Sequence, residues 1–112
     1  MTKLWIRVDL DGGARIGPGK VRLLEEIARS GSISAAGRAL KMSYRRAWQL
    51  VEDLNKATAV PLVATATGGA RGGGAKLTPA GVTLVQSYRA LEIAAEAASR
   101  PLLERLSKPE AP

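Results

Sequence analysis

The chain contains no cysteine and no histidine among its 112 residues. These absences exclude zinc fingers, iron–sulfur sites and thiol catalysis, and they remove histidine as a general base. A lack of cysteine also fits a reducing compartment. Acidic residues are scarce, since 10 Asp and Glu stand against 17 Lys and Arg and the net charge is +7. This excess favours a polyanionic partner, either nucleic acid or an anionic membrane surface; a charge that only aids solubility is the alternative.

Long apolar runs are missing as well. The stretch 1–11 is interrupted by Lys3, Arg7 and Asp9 and lacks the pattern of a signal peptide. No apolar run approaches the roughly 20 residues that are needed to cross a bilayer. We therefore expect a cytoplasmic protein without a membrane partner. Its length of 112 residues predicts a single domain over 1–112.

The N-terminal part has the pattern of a short β-hairpin. Leu4, Ile6 and Val8 alternate with polar or exposed positions, which is typical of a half-buried strand. The stretch 11–13, Asp-Gly-Gly, supplies a turn, and 14–16 returns as a second short strand.

The next part of the chain has helical periodicity. A helix is predicted from about Lys20 to Ser30, with Gly31 placed to end it. Either Ser32 or Ser34 caps a second, shorter helix. Together with the hairpins, these patterns predict a mainly α, α+β fold.

A helix-turn-helix is predicted over 32–56. Lys41 and Met42 form the turn, where a left-handed residue is usually needed and glycine is the cheapest choice. Ser43 caps the third helix. Small residues stand where the two helices have to touch, at Ala36, Gly37 and Ala47. In such a motif the second helix lies in the DNA major groove, with its N-terminal residues on the base edges.

The third helix carries the predicted DNA contacts. Helical geometry turns Arg45, Arg46 and Gln49 away from the core, where Arg can bond guanine and Gln can bond adenine. Ser43 and Tyr44 suit phosphate oxygens, which the positive end of the helix also attracts. The motif is therefore predicted to read sequence through side chains in the first two turns of this helix.

Three further polar or aromatic residues lie close to this surface in the sequence pattern. Ser34 lies at the start of the second helix, which in such a motif crosses the DNA backbone, and it is expected to contact DNA. Trp48 and Asn55 lie on the same flank of the third helix as Tyr44. Trp48 either packs at the edge of the core or contacts DNA, and the sequence leaves both open.

A wing is predicted over 61–77. Strand-like residues lead into a stretch with five glycines between positions 68 and 74, and a short return strand follows. Arg71 and Lys76 supply cations that could follow phosphates into the neighbouring minor groove. A nucleotide-phosphate loop is excluded, because the GxxxxGK[ST] spacing is absent. A loop without any role is the remaining alternative.

A long helix is predicted over 78–107, with Thr78 as cap and Pro79 in the first turn. Pro101 is expected to interrupt it. A heptad-like seam along it predicts a homodimer interface formed by Leu84, Tyr88, Leu91, Ala95, Ala98 and Leu102. The alternative is that the stripe packs on its own domain, as we expect for Val82 and Val85.

These motifs resemble a known family. The runs Gly31-Ser-Ile-Ser-Ala-Ala, Met42-Ser-Tyr-Arg-Arg-Ala-Trp and Leu77-Thr-Pro-Ala-Gly look like the DNA-binding domain of ModE-type, molybdate-responsive regulators. LysR-type regulators are more distant relatives. The resemblance implies a winged helix-turn-helix dimer that represses or activates promoters of molybdenum uptake and usage genes. It implies DNA contacts at Ser43, Tyr44, Arg45, Arg46, Gln49 and Arg71.

One departure from the family pattern affects the expected ligands. Full-length members bind molybdate in C-terminal β-barrel domains, which have no counterpart in this sequence. We therefore expect double-stranded DNA as partner, no cofactor and no direct binding of molybdate. Catalysis is not expected, because the neighbouring carboxylates at 25–26 and 52–53 point to different faces of their helices. The alternatives are a winged-helix protein-interaction module and a DNA-binding fragment of a larger regulator.

Overall fold

A computed structural model of the protein describes residues 2–66 and 74–109. The predicted mainly α fold with two small hairpins is confirmed over these residues. In chain order the elements are β1 (Val8–Asp9), β2 (Arg15–Ile16), α1 (Pro18–Ser30), α2 (Ile33–Ala39), α3 (Tyr44–Ala57), β3 (Val63–Ala66), β4 (Gly74–Leu77) and α4 (Pro79–Ser107).

The N-terminal hairpin is short and its turn reaches the end of α3. β1 pairs antiparallel with β2, with Val8 opposite Ile16. Gly13 takes a φ of 96°, which only glycine adopts cheaply. A Cβ on Gly12 would lie 2.2 Å from the carbonyl oxygen of Ala57, so only glycine allows this close approach. The hairpin therefore closes over the C-terminal end of α3.

Helix α1 forms the centre of the core. It begins at Pro18, two residues before the predicted start, because proline already has the φ that a first helical turn requires. It ends as predicted at Gly31, whose φ is 72° and whose N–H donates to the oxygen of Ile27 at 2.8 Å. Its inward face is fully buried at Val21, Leu23, Leu24 and Ile27.

Helix α2 packs on both α1 and α3, and the apolar sides of all three helices meet in one core. The predicted inward residues of α3 are confirmed as buried: Ala47, Leu50, Val51 and Leu54. The helix runs on to Ala57, past the predicted loss of pattern after Asn55. Strands β3 and β4 pair antiparallel, and Ala75 on β4 donates its N–H to the oxygen of Gly31 at 2.9 Å. The hairpin is thus tied to the turn that precedes α2.

Helix α4 is long and continuous. Thr78 caps it as predicted, accepting a hydrogen bond from the N–H of Gly81 at 3.1 Å. The prediction that Pro101 interrupts it is wrong, since the helix continues to Ser107. Proline removes one backbone hydrogen bond, whereas the Glu96–Arg100 ion pair before it and the buried Leu103 after it support the last turns.

The N-terminal segment lies along α4, and this corrects one predicted role. The hydroxyl of Tyr88 donates to the oxygen of Ile6 at 2.7 Å, and Tyr88 is only 4% exposed. The heptad pattern predicts Tyr88 at the dimer interface, but it is a core residue because the segment before β1 covers that side of the helix. Burial raises the pKa of its phenol above the ordinary value.

An ion-pair network fastens α4 to α1. Arg89 contacts Glu25 with an N–O distance of 2.7 Å and Glu92 with 2.6 Å. The hydrogen bonds from Arg89 lower the pKa of Glu25 below its ordinary value. No helix among the residues 2–66 and 74–109 is long and apolar enough to cross a membrane.

Candidate nucleic-acid interface

The turn between α2 and α3 is held by close backbone packing. A Cβ on Gly37 would lie only 3.0 Å from the Cβ of Ala47, so the two helices approach through small residues, as predicted. Met42 donates its N–H to the oxygen of Gly37 at 2.8 Å. Lys41 takes a φ of 59°, which confirms the predicted left-handed turn position. Side chains on α3 are therefore presented from a rigid support.

The structure of the N-terminal end of α2 shows which of the two candidate residues is its cap. Ser32 is the cap, and its hydroxyl accepts from the N–H of Ala35 at 3.1 Å. Ser34 lies inside the first turn and is half-buried. Its predicted contact with DNA stays a prediction.

The first turn of α3 presents cations at a positively polarised helix end. Ser43 caps the helix by accepting from the N–H of Arg46 at 3.0 Å, which leaves its own hydroxyl proton to donate. Tyr44, Arg45 and Arg46 are all exposed. Within the described parts of the chain, no ion pair involves Arg45 or Arg46. Helix polarity and two exposed guanidinium groups make this turn suited to an anion such as DNA.

Acidic residues limit this surface to the first two turns. Gln49 donates to the Oδ1 of Asp53 at 3.0 Å, and Glu52 is exposed beside them. Two carboxylates in the third turn would repel DNA phosphates. The hydrogen bond also holds the Gln49 amide in one orientation. To bond adenine through both its oxygen and its NH2, Gln49 would have to break the hydrogen bond to Asp53.

Two aromatic side chains occupy one flank of α3. Tyr44 is 61% exposed and meets Trp48 edge to face, with 6.1 Å between the ring centres. Trp48 packs against the core, which confirms the first of its two predicted roles. Its Nε1 is buried without a hydrogen-bond partner among the described residues. Tyr44 is thus the aromatic residue of this pair that DNA could reach.

The opposite end of α3 contains a residue whose role the sequence did not reveal. Asn55, predicted on the same flank as Tyr44, is half-buried, and its amide bonds the backbone of Leu62 and Val63. These bonds join α3 to the first strand of the wing. An amide near a helix end is the only sequence signal for such a role, and it is too common to be specific.

The wing contributes one described cation. Lys76 lies exposed on β4, between the buried Ala75 and the half-buried Leu77. Arg71, predicted at the tip of the wing, lies outside the described residues. The candidate DNA-contacting surface within the described residues therefore comprises the exposed side of the first two turns of α3 together with Lys76 on β4. We call it the α3–wing surface.

An apolar stripe on the outer side of α4 is the second surface of interest. Leu91 is 44% exposed and Leu102 is 60% exposed, and Ala98 between them is also exposed. Leu84 and Ala95 are half-buried, and Leu84 packs against the core. Val85 packs on its own domain as expected, whereas the expectation for Val82 is wrong because Val82 is exposed. The predicted seam without Tyr88 leaves Leu91, Ala98 and Leu102 as its exposed part.

Side chains that could bind a metal ion do not cluster in what the structure describes. No group of three or more His, Cys, Asp or Glu side chains is close enough there to hold a metal ion. Asp53 on α3 accepts a hydrogen bond from Gln49, and Glu25 and Glu92 are paired with Arg89.

The chain is similar to proteins whose names refer to molybdenum or to ModE. It is 51% identical over 80 residues to the molybdenum-pterin-binding protein MopB of Rhodobacter capsulatus, covering 71% of this chain and 30% of MopB. It is 41% identical over 101 residues to the molybdenum transport protein ModE of Azotobacter vinelandii, covering 90% and 37%. The DNA-binding transcriptional dual regulator ModE of Escherichia coli K12 is 44% identical over 71 residues, covering 63% and 27%. The chain thus spans about a third of the length of these relatives.

Solved structures agree with this relationship. The full-length LysR-type regulator LysG of Corynebacterium glutamicum with bound effector Arg superimposes with a TM-score of 0.57 at 29% identity, covering 83% of this chain and 30% of LysG. The family description "Bacterial regulatory helix-turn-helix protein, lysR family" matches residues 19–82, from α1 through the wing into α4. These matches confirm the predicted winged helix-turn-helix and its resemblance to the ModE type. The chain therefore belongs to the LysR family of bacterial regulatory helix-turn-helix proteins.

Proposed function

We propose that this chain binds double-stranded DNA in a sequence-specific manner through the α3–wing surface. The observation that carries the proposal is the first turn of α3. There a capped helix end exposes Arg45 and Arg46 on a support fixed by the close packing of Gly37 on Ala47. Arginine on a rigid helix can bond both acceptors of guanine in the major groove. Lys76 adds a cation for a phosphate of the neighbouring groove.

We propose further that the chain acts as a homodimer through the outer side of α4. Leu91, Ala98 and Leu102 remain exposed on one chain and form an apolar strip along the helix. Pairing two such strips would bury them and would hold two α3 helices for two half-sites about one DNA turn, or a multiple of it, apart. Binding two half-sites raises affinity beyond that of a single module.

The regulated genes are proposed from the relatives. The ModE and Mop proteins that the chain resembles suggest transcriptional control of molybdenum transport or usage, exerted in the cytoplasm where the DNA lies. No catalytic activity and no direct binding of molybdate are expected of this chain. Equilibrium dialysis with molybdate tests the second expectation, and uptake of one molybdate per chain would refute it.

The test of DNA recognition starts from a binding site selected from random duplexes. Fluorescence anisotropy then compares the wild type with Arg46→Ala and Arg45→Ala. We expect each variant to lose about 1–3 kcal/mol of binding free energy and to lose its preference at one base pair. Lys3→Ala is the matched control, because it removes an equal charge from an exposed position before β1, on the segment that lies along α4. Equal affinity and unchanged preference in both α3 variants would refute the proposal.

A further inference from the structure

The base of the wing is bonded directly to the last turns of α3. The Oδ1 of Asn55 accepts from the N–H of Leu62 at 2.9 Å and from the N–H of Val63 at 3.1 Å. The Nδ2 of the same side chain donates to the oxygen of Val63 at 3.0 Å. One amide thus satisfies three backbone groups where β3 begins. For Val63, the Asn55 side chain makes the hydrogen bonds that a neighbouring strand would otherwise make.

The same short segment is held from its other side by α4. Thr78 donates its hydroxyl to the oxygen of Pro61 at 2.7 Å and its N–H to the oxygen of Leu62 at 3.0 Å. A Cβ on Gly81 would lie 2.2 Å from the oxygen of Leu62, so α4 and the segment are in close contact. The wing therefore starts from a point fixed by both helices.

The register of the wing follows from this point. Val63, which Asn55 holds by both its N–H and its oxygen, pairs with Leu77. The next pair outward is Ala64 with Lys76. Between the end of α3 at Ala57 and the start of β3, the chain has no regular secondary structure that could fix the direction of the hairpin. The side chain of Asn55 supplies that constraint from α3.

We propose that Asn55 is a positioning residue for DNA binding. It fixes the orientation of the wing relative to α3, so that α3 can contact the major groove while the wing contacts the neighbouring minor groove. The inference rests on the proposed DNA binding through the α3–wing surface. Asn55 does not itself face DNA. Its effect comes from pre-organisation, because a hairpin that is already oriented loses less conformational freedom on binding.

The experiment crosses protein variants with two lengths of DNA. One duplex carries the site selected from random DNA with flanks of about 10 base pairs, roughly one DNA turn. The second carries the same site with the flanks trimmed, so that α3 still binds but the wing has no phosphates to contact. Anisotropy titrations compare the wild type with Asn55→Ala and with Asn55→Gln. The glutamine variant keeps the neutral amide, with its oxygen and its NH2, but moves it by one methylene, and it serves if the alanine variant fails to fold.

We expect trimming to weaken the wild type by about tenfold, the size of one charge-assisted phosphate contact. Both Asn55 variants should bind the trimmed duplex with the affinity of the wild type. The flanks should raise the affinity of the variants only slightly. Their dependence of log K on log salt, measured on the long duplex, should be shallower by about 0.9 for each phosphate that the wing no longer neutralises. A residue that only stabilised the fold would not change this slope selectively.

Tyr88→Phe is the matched control. It removes one hydrogen bond, to Ile6 in the segment before β1, which involves no residue of the wing, and it should leave the effect of the flanks unchanged. If the Asn55 variants keep the full effect of the flanks, or lose affinity equally for both duplexes, the inference is wrong while the proposed function stands. If the wild type shows no sequence preference at all, the proposed function fails and the inference fails with it.

Discussion

The apolar strip on α4 gives a quantitative prediction for dimerisation. Fully burying a leucine side chain contributes about 1.5–3 kcal/mol. Leu91 and Leu102 have 44% and 60% of their surface left to bury, so each should contribute about 1 kcal/mol per chain. In a symmetric dimer each residue occurs twice, and Leu91→Ala combined with Leu102→Ala should therefore cost about 4 kcal/mol. The dimer dissociation constant should rise by about 100- to 1,000-fold.

Sedimentation equilibrium over a series of protein concentrations measures this change. Ile93→Ala is the matched control, since Ile93 is 72% exposed on the same helix. At 3.6 residues per turn it lies about 160° around the helix axis from Leu91. It should leave the dissociation constant unchanged. All three side chains are exposed in the single chain, so thermal unfolding should show that the fold is retained.

Two results would refute this assignment of the interface. The first is a double leucine variant that dimerises as tightly as the wild type. The second is a control variant that weakens the dimer more than the leucine substitutions do, because the interface would then lie on the side of α4 that carries Ile93.

Three further predictions concern stability. Lys41→Gly should raise the free energy of unfolding by about 1 kcal/mol, because it relieves a left-handed conformation at φ 59°; an unchanged melting temperature would contradict this. Gly31→Ala should lower the free energy of unfolding by about 1–2 kcal/mol, as measured by urea unfolding. The added methyl meets no atom within 4 Å, so the cost comes from the left-handed φ of 72° at this position. The pKa of Glu25 is lowered from 4.5, so its pairing with Arg89 stabilises the fold above that pH and is lost as the pH falls further. Urea unfolding at pH 7 and pH 3 should therefore show that the free energy of unfolding falls less in Arg89→Gln than in the wild type. An equal decrease in the two proteins would refute the pairing.

The features that the sequence predicts well are local. Ser43 as cap, Gly31 as helix end and the left-handed Lys41 each follow from a few neighbouring residues and their backbone preferences. The buried side of α3 follows from the helical period alone. The candidate DNA-contacting face follows from the same period, because it is the surface opposite that buried side.

The features that the sequence does not predict depend on distant segments. Tyr88 fits the heptad spacing of a dimer seam, but the N-terminal segment covers it through a contact with Ile6, which is 82 positions away. The helical period places Asn55 on the same flank as Tyr44, whereas its partners, Leu62 and Val63, are reached only after the chain turns back. Periodicity reports which side of a helix is apolar. It does not report which other segment covers that side.

In the proposed function, DNA binding depends most on the first two turns of α3. Titrating the selected duplex into 15N-labelled protein measures their contact with DNA directly, residue by residue. We predict the largest amide shift changes over residues 44–49, with a second group at Lys76. Changes that leave residues 44–49 unmoved and concentrate on the C-terminal half of α4 would contradict DNA binding through α3.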